Sequence, residues 1–144
     1  MNKINVVNAH TGYRIKKGRI QKRVQNLLLQ EKQKKSVDII LVDDQYMIAL
    51  NKRYKKKNHT TDVLAFNLKE EKSLAAEDDN LGDVYICLDQ AQRQAQDYQV
   101  EVEDEIHRLA IHGVLHLLGY DHKSKAFAKL MKEKEEKYLK VKKE

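Results

Sequence analysis

The sequence of 144 residues has no proline, no tryptophan and a single cysteine, Cys87. One cysteine excludes a disulfide within the chain and is typical of proteins in a reducing cytoplasm. Cys87 lies in the apolar run DVYICLD, which predicts a small buried core residue. No apolar run approaches the roughly 20 residues of a membrane span, and the segment MNKINVVNAHTGYRIKKGR lacks the features of a secretory signal. We therefore expect a cytoplasmic protein that does not span a membrane.

Serine- and glycine-rich linkers and internal repeats are also missing from the sequence. Hydrophobic residues make up 41% of the chain and charged residues 35%, which is typical of a soluble protein with a modest core. Because compact domains most often contain about 100–150 residues, we expect residues 1–144 to form a single domain.

The chain carries a formal net charge of +6, with a pI near 9.2. Basic residues concentrate in 14–23 and 52–57, and acidic residues in 70–80 and 101–105. Such a separation lets one face attract a polyanion such as nucleic acid. A lysine-rich composition without proline also follows from codon bias, so the charge alone does not establish a polyanionic partner.

Hydrophobic periodicity predicts an α+β (α/β-like) fold in which a mixed four-stranded sheet packs against about five helices. The predicted strands span residues 3–7, 36–42, 61–68 and 81–88. The predicted helices span residues 18–33, 44–55 (DQYMIALNKRYK, starting from an Asp cap), 89–98, 101–118 and 124–140.

Glycine and histidine are scarce, with five and six residues, yet the segment HGVLHLLGYDH (112–122) contains two of these glycines and three of these histidines. On a helix, His112 and His116 lie one turn apart on the same face. Gly119 falls where helices commonly end in a left-handed residue. The turn there can bring His122 to the same point, so the spacing predicts a metal site.

Three neutral imidazoles with an open fourth position form a familiar catalytic zinc set, although imidazole also suits Cu, Fe and Ni. Asp121 is a candidate for orienting one of the rings, or else an ordinary turn residue. The structural alternative for the histidines themselves is a helix end that happens to hold imidazoles.

The positions of His112, His116, Gly119 and His122 match the zinc-protease pattern H-E-x-x-H-x-x-G-x-x-H. Those enzymes use the glutamate after the first histidine as the general base. Here that position is Gly113, which cannot transfer a proton. The sequence therefore argues against proteolysis.

The segment 112–122 resembles the signature of the YbeY family, bacterial endoribonucleases that act in rRNA maturation. Residues 50–66, LNKRYKKKNHTTDVLAF, resemble a second block of the family, and LGDVYI (81–86) resembles a third. The similarity continues after the motif helix in one methionine and two acidic residues, namely Met131, Glu135 and Glu136. This resemblance implies that His112, His116 and His122 bind one Zn²⁺.

Two positions depart from the family pattern. The family's arginine after the tyrosine is Lys55, and the serine of its T-D-V-L-S-F strand is Ala65. Lysine keeps the positive charge but lacks the bidentate fork of arginine. We assign Lys55 to phosphate stabilisation, with a solvated helix end as the alternative for the basic run around it. We assign Asp62 to orienting water or acting as a base, with a loop-capping role as its alternative.

The sequence thus predicts a zinc-dependent endoribonuclease that selects single-stranded RNA, with rRNA as substrate and the ribosome or its proteins as partners. Tyr54 and Tyr120 are candidates for stacking on RNA bases, unless they are buried. Two alternatives stay open: a zinc-stabilised module that binds RNA or the ribosome with little catalysis, and a metal-dependent hydrolase of another substrate such as a peptide.

Overall fold

A computed structural model describes residues 3–54, 62–67, 80–121 and 123–140. These ranges contain five helices and four strands, in the predicted order and within three residues of the predicted ends. The strands are β1 (Ile4–Asn8), β2 (Ser36–Val42), β3 (Val63–Asn67) and β4 (Asn80–Cys87). The helices are α1 (Lys17–Gln30), α2 (Asp44–Tyr54), α3 (Leu88–Tyr98), α4 (Val102–Leu117) and α5 (Lys125–Leu139).

The four strands form one mixed sheet in the order β1-β2-β4-β3. β2 pairs in parallel with both β1 and β4, so Ile39 lies between Val6 and Val84. β3 runs antiparallel to β4 at the edge, with Ala65 opposite Val84. The expected α+β architecture is confirmed.

Hydrophobic side chains form two clusters, one on each face of the sheet. Adjacent residues of a strand point to opposite faces, and Leu41 lies in the larger cluster whereas Val42 lies in the smaller one. The larger cluster joins the sheet to α1 and α4. The smaller cluster includes Met47 of α2 and Cys87, which is fully buried as the sequence predicts.

α4 is the most deeply placed helix, and Gly113 lets it approach the sheet closely. A Cβ atom at Gly113 would lie 2.5 Å from Cγ1 of Val84 and 3.3 Å from Cγ2 of Val63. A glutamate at this position would therefore collide with β3 and β4. The absence of the protease base has a packing reason as well as a chemical consequence.

Arg23 departs from the basic surface expected around residues 14–23, because its side chain is buried. Its Nε donates to Nδ1 of His107 at 2.7 Å, and its Nη1 donates to the carbonyls of Tyr138 and Leu139 at 2.7 and 2.9 Å. Burial lowers the pKa of Arg23. This guanidinium links α1, α4 and α5.

Within the described ranges, no helix is both long and apolar enough to cross a lipid bilayer.

Candidate metal centre

His112 and His116 lie one turn apart near the end of α4, on the side that reaches solvent. His112 is partly buried and His116 is exposed, whereas Val114 and Leu115 between them are buried. Residues four apart on a helix share a face. The fold therefore presents two imidazoles side by side at the surface.

Glu135 of α5 fixes the orientation of the first imidazole. Its Oε2 lies 2.8 Å from Nδ1 of His112. With the carboxylate as the acceptor, Nδ1 is the donor of this hydrogen bond, and Nε2 is the ring nitrogen that would bind a metal. Metal-ligating histidines commonly make this second hydrogen bond to a carboxylate. The donor set at His112 therefore fits a zinc ion.

The turn after α4 reverses the chain towards the third predicted ligand. Gly119 has a φ of +105°, a conformation that favours glycine. Its N–H donates to the carbonyl of His116 at 3.0 Å, and the N–H of Tyr120 donates to that of Leu115 at 3.1 Å. These two bonds form a Schellman motif, so the predicted helix end at Gly119 is confirmed. His122 itself lies outside the described residues.

Asp121 takes part in the same turn. Its Oδ1 accepts a hydrogen bond from the backbone N–H of Lys123 at 2.9 Å. This contact matches the turn role that the sequence analysis gave as the alternative for Asp121. The carboxylate that contacts His112 is that of Glu135.

Of the two predicted catalytic residues, Asp62 is described and Lys55 lies outside the described residues. Asp62 immediately precedes β3 and is partly buried, and its carbonyl accepts a hydrogen bond from the N–H of Cys87 at 2.9 Å. The next residue, Val63, packs over Gly113 on α4. Asp62 therefore lies at the end of β3 that meets the histidine helix.

Arg108 precedes His112 by one turn of α4 and interacts with carboxylates around it. Its Nε and Nη2 donate to Glu105 at 2.9 and 2.6 Å. These hydrogen bonds raise the pKa of Arg108 against the opposing effect of burial, and the carboxylates of Asp62 and Glu135 raise it further. Asp62 and Glu135, which contacts His112, thus both act on the charge of the same arginine.

A cavity of about 290 Å³ opens beside the second histidine. His116, Gly119 and Lys123 line one side, and Ala65 of β3 contributes to the wall. Ala65 occupies the position where the YbeY pattern has serine, so this wall carries a methyl group in place of a hydroxyl. The cavity gives a ligand access to the exposed imidazole.

A second group of metal-binding side chains, which sequence reasoning did not find, lies where β2 and β4 end. Ligand atoms of Asp44, Cys87 and Asp89 lie within 4.8 Å of one another, so this group could hold a metal. Arg93 already pairs with Asp44 at 2.8 Å and His10 with Asp89 at 2.9 Å. Burial raises the pKa of the Cys87 thiol to about 12, which disfavours the thiolate that a metal binds.

Glu31, which caps the end of α1, was also not identified from the sequence. Its carboxylate accepts hydrogen bonds from the hydroxyls of Tyr120, at 2.6 Å, and Tyr138, and from Nζ of Lys134 at 2.9 Å. These contacts join the turn after α4 to α1 and α5. Because Tyr120 is partly buried and held by its hydroxyl, it is poorly placed as a free stacking residue.

The family model described as "Endoribonuclease YbeY" matches residues 5–143. The protein of that name from Pelotomaculum thermopropionicum is 45% identical over 105 residues, which cover 72% of this chain and 69% of that protein. The one from Carboxydothermus hydrogenoformans is 46% identical over 103 residues, with the same coverage. The one from Phytoplasma australiense is 38% identical over 138 residues, 96% of this chain and 94% of its own.

Among solved structures, the solution structure of TM1509 from Thermotoga maritima superposes with a TM-score of 0.69. The two chains are 28% identical, and the match covers 95% of this chain and 87% of the other. The fold is therefore shared along nearly the whole chain.

Proposed function

Because the chain belongs to the endoribonuclease YbeY family, we propose that it is a zinc-dependent endoribonuclease formed by a single domain over residues 1–144. The observation that carries the proposal is the contact between His112 and Glu135, at 2.8 Å. A carboxylate at this nitrogen favours the tautomer in which Nε2 would bind zinc, one turn from an exposed second imidazole. We infer the RNA substrate from the family to which the chain belongs.

His112, His116 and His122 would hold one zinc ion per chain. Zinc supplies a Lewis acid for the phosphoryl oxygens and makes water nucleophilic near neutral pH. This chemistry needs no glutamate next to the first histidine, which is consistent with Gly113 at that position. The turn at Gly119 supports the assignment of His122, since it reverses the chain directly before that residue.

Two further residues of the chain would act on the phosphodiester. Lys55 would place positive charge against the developing negative charge of the phosphoryl group. Asp62 would orient the attacking water or accept its proton. The position of Asp62 supports this role, because it directly precedes Val63, which packs over Gly113 between the two histidines of α4.

The substrate class would be single-stranded RNA, in particular rRNA, and the ribosome or its proteins would be partners in the cytoplasm. The net charge of +6 favours a polyanionic partner. Lys123, on the wall of the cavity beside His116, places a cation where RNA would enter.

The decisive experiment compares zinc-loaded protein with a His116→Ala variant on labelled single-stranded RNA. We expect the variant to lose at least about 100-fold in cleavage rate, because a ligand of the metal is missing. Metal analysis should give about one zinc per wild-type chain and clearly less for His122→Ala. Equal cleavage by wild type and His116→Ala would identify a contaminating nuclease and refute the proposal.

Two other results would favour the alternative functions. RNA affinity that survives chelation, while the protein unfolds and no cleavage is detected, would indicate a zinc-stabilised RNA-binding module. Turnover of a fluorescent peptide panel would indicate a peptidase. We expect no peptide turnover, because Gly113 packs against Val84 and leaves no room for the base that zinc proteases use.

A further inference from the structure

Phe127, in the first turn of α5, is 50% exposed. It belongs to neither of the two hydrophobic clusters of the described residues. A single exposed apolar residue is common on protein surfaces, so its surroundings decide whether it has a function. Its backbone N–H donates to Oγ of Ser124 at 3.1 Å. This N-cap fixes the first turn of α5 and therefore the backbone position from which the ring projects.

The ring of Phe127 lines a cavity of about 290 Å³ next to the predicted metal site. Gly119 and Tyr120 line both this cavity and the one that contains His116. A Cβ atom at Gly119 would meet nothing within 4 Å. The turn after α4 is therefore a low, unobstructed ridge between an aromatic surface and an exposed imidazole.

The charges around this cavity suit a polyanion. Lys32 and Lys34 are exposed and flank Gln33 in the sequence, and Gln33 lines the cavity. The neighbouring cavity of His116 is lined by Lys123 and by Asp121, whose Oδ1 is engaged by the backbone N–H of Lys123. The carboxylate of Glu31 is compensated by Lys134 at 2.9 Å and by two tyrosine hydroxyls. An aromatic face bordered by cations is the combination that holds the bases and phosphates of single-stranded nucleic acid.

We propose that Phe127 forms a nucleobase subsite, on which an unpaired base of the RNA stacks while the chain crosses Gly119 towards His116. This inference rests on the proposed function and adds a physical source of selectivity for single strands. In a duplex both faces of each base are already stacked, so only an unpaired base can reach the ring. The subsite has no sequence preference of its own, since every base has a π-face.

The test measures binding of a short fluorescein-labelled 2′-O-methyl oligoribonucleotide of mixed sequence to the zinc-loaded protein by anisotropy, in the cold, with the integrity of the oligonucleotide checked on a gel. Phe127→Leu keeps an apolar side chain but removes the ring, and we expect it to weaken binding about five- to 100-fold. Phe127→Tyr keeps the ring and should bind within about twofold of wild type. Leu130→Ala, which removes another exposed apolar side chain of α5, should also have little effect. The same RNA annealed to its complement should not distinguish Phe127→Leu from wild type.

A second readout reports stacking directly. The fluorescence of 2-aminopurine placed in the single strand should be quenched by wild type and by Phe127→Tyr, and not by Phe127→Leu. Equal affinity and equal quenching for wild type and Phe127→Leu would overturn the subsite, even if the wild-type protein cleaves RNA. Conversely, loss of binding in Phe127→Leu supports the subsite even if no cleavage is found, so the two proposals fail separately.

Discussion

Glu135 is the residue on which the orientation of His112 depends, since their side chains are 2.8 Å apart. Glu135→Gln keeps the size and an acceptor oxygen but removes the charge that polarises the imidazole. We expect a loss of about 10- to 100-fold in zinc affinity, measured by competition with a chromophoric chelator. Glu136→Gln removes the same charge from an exposed neighbour and is the matched control. Equal affinities for both variants would contradict the orienting role of Glu135.

Gly113 permits a packing distance that no other residue allows. Alanine favours a helix by up to about 1 kcal/mol over glycine, but its Cβ would lie 2.5 Å from the buried Val84. Overpacking of this kind costs about 1–3 kcal/mol. We expect Gly113→Ala to lower the free energy of unfolding by about 1–2 kcal/mol in urea titrations.

Gly18, in the first turn of α1, is the control for that substitution. A Cβ atom there would meet nothing within 4 Å, so Gly18→Ala should be neutral or slightly stabilising. If Gly113→Ala behaved like Gly18→Ala, the close approach of α4 to the sheet would not be what requires glycine.

α1, α5 and the turn after α4 are joined through one carboxylate, that of Glu31. Burial alone would raise the pKa of Glu31, but hydrogen bonds from Tyr120, Tyr138 and Lys134 outweigh it and lower the pKa below 4.5. A carboxyl whose pKa is lower in the folded than in the unfolded state stabilises the fold above the unfolded pKa. That contribution is lost as the pH falls through the folded pKa.

Glu31→Gln removes this charge, and we expect it to lower the free energy of unfolding by about 1–3 kcal/mol at pH 7. The difference from wild type should shrink as the pH falls from 4.5 towards the lower pKa of the folded state, because the wild-type carboxyl takes up its proton first in the unfolded state. Urea unfolding between pH 7 and pH 3 measures both effects. A difference that stayed constant over this range would mean that the ionised form of Glu31 is not what stabilises the contact.

The elements themselves were predictable because each carries a local pattern. Ile20, Val24, Leu27 and Leu28 repeat at helical spacing and are all buried in α1. The contacts between elements were not predictable, because they join residues far apart in the sequence. Glu31 meets Tyr120 across 89 positions, and no local pattern indicates that pairing. Arg23 illustrates the same limit: it lies in a basic run typical of a surface, yet its side chain is buried against His107.

The same distinction between local sequence patterns and long-range contacts holds for the candidate site. The histidine spacing and Gly119 lie within one short segment, so the helix and the turn could be predicted from it. Glu135 was visible only as one of two acidic residues shared with a family pattern, and its contact with His112 depends on how α5 packs on α4. The exposure of Phe127 likewise follows from tertiary packing, which leaves the first turn of α5 beside the turn at Gly119.

For the molecule as a whole, the hydrophobic core and the predicted metal site are separate. His112 is only partly buried and His116 is exposed, whereas the fully buried interior consists of apolar residues and a few polar ones such as Arg23 and His107. Zinc fingers, by contrast, depend on the metal to fold. This separation predicts that the metal serves chemistry at the surface and that the chain folds without it.

We therefore expect the chelated protein to keep its far-UV circular dichroism spectrum and to unfold cooperatively on heating. A ligand that binds only the folded state at 100 times its Kd stabilises it by about 2.7 kcal/mol, which for a chain of this size raises the Tm by about 5–10 °C. Melting curves over a series of buffered free zinc concentrations should show this rise for wild type and a smaller one for His116→Ala. Loss of helical signal on chelation would show instead that zinc holds the fold together, because α4 and the turn at Gly119 would then need the metal to stay in place.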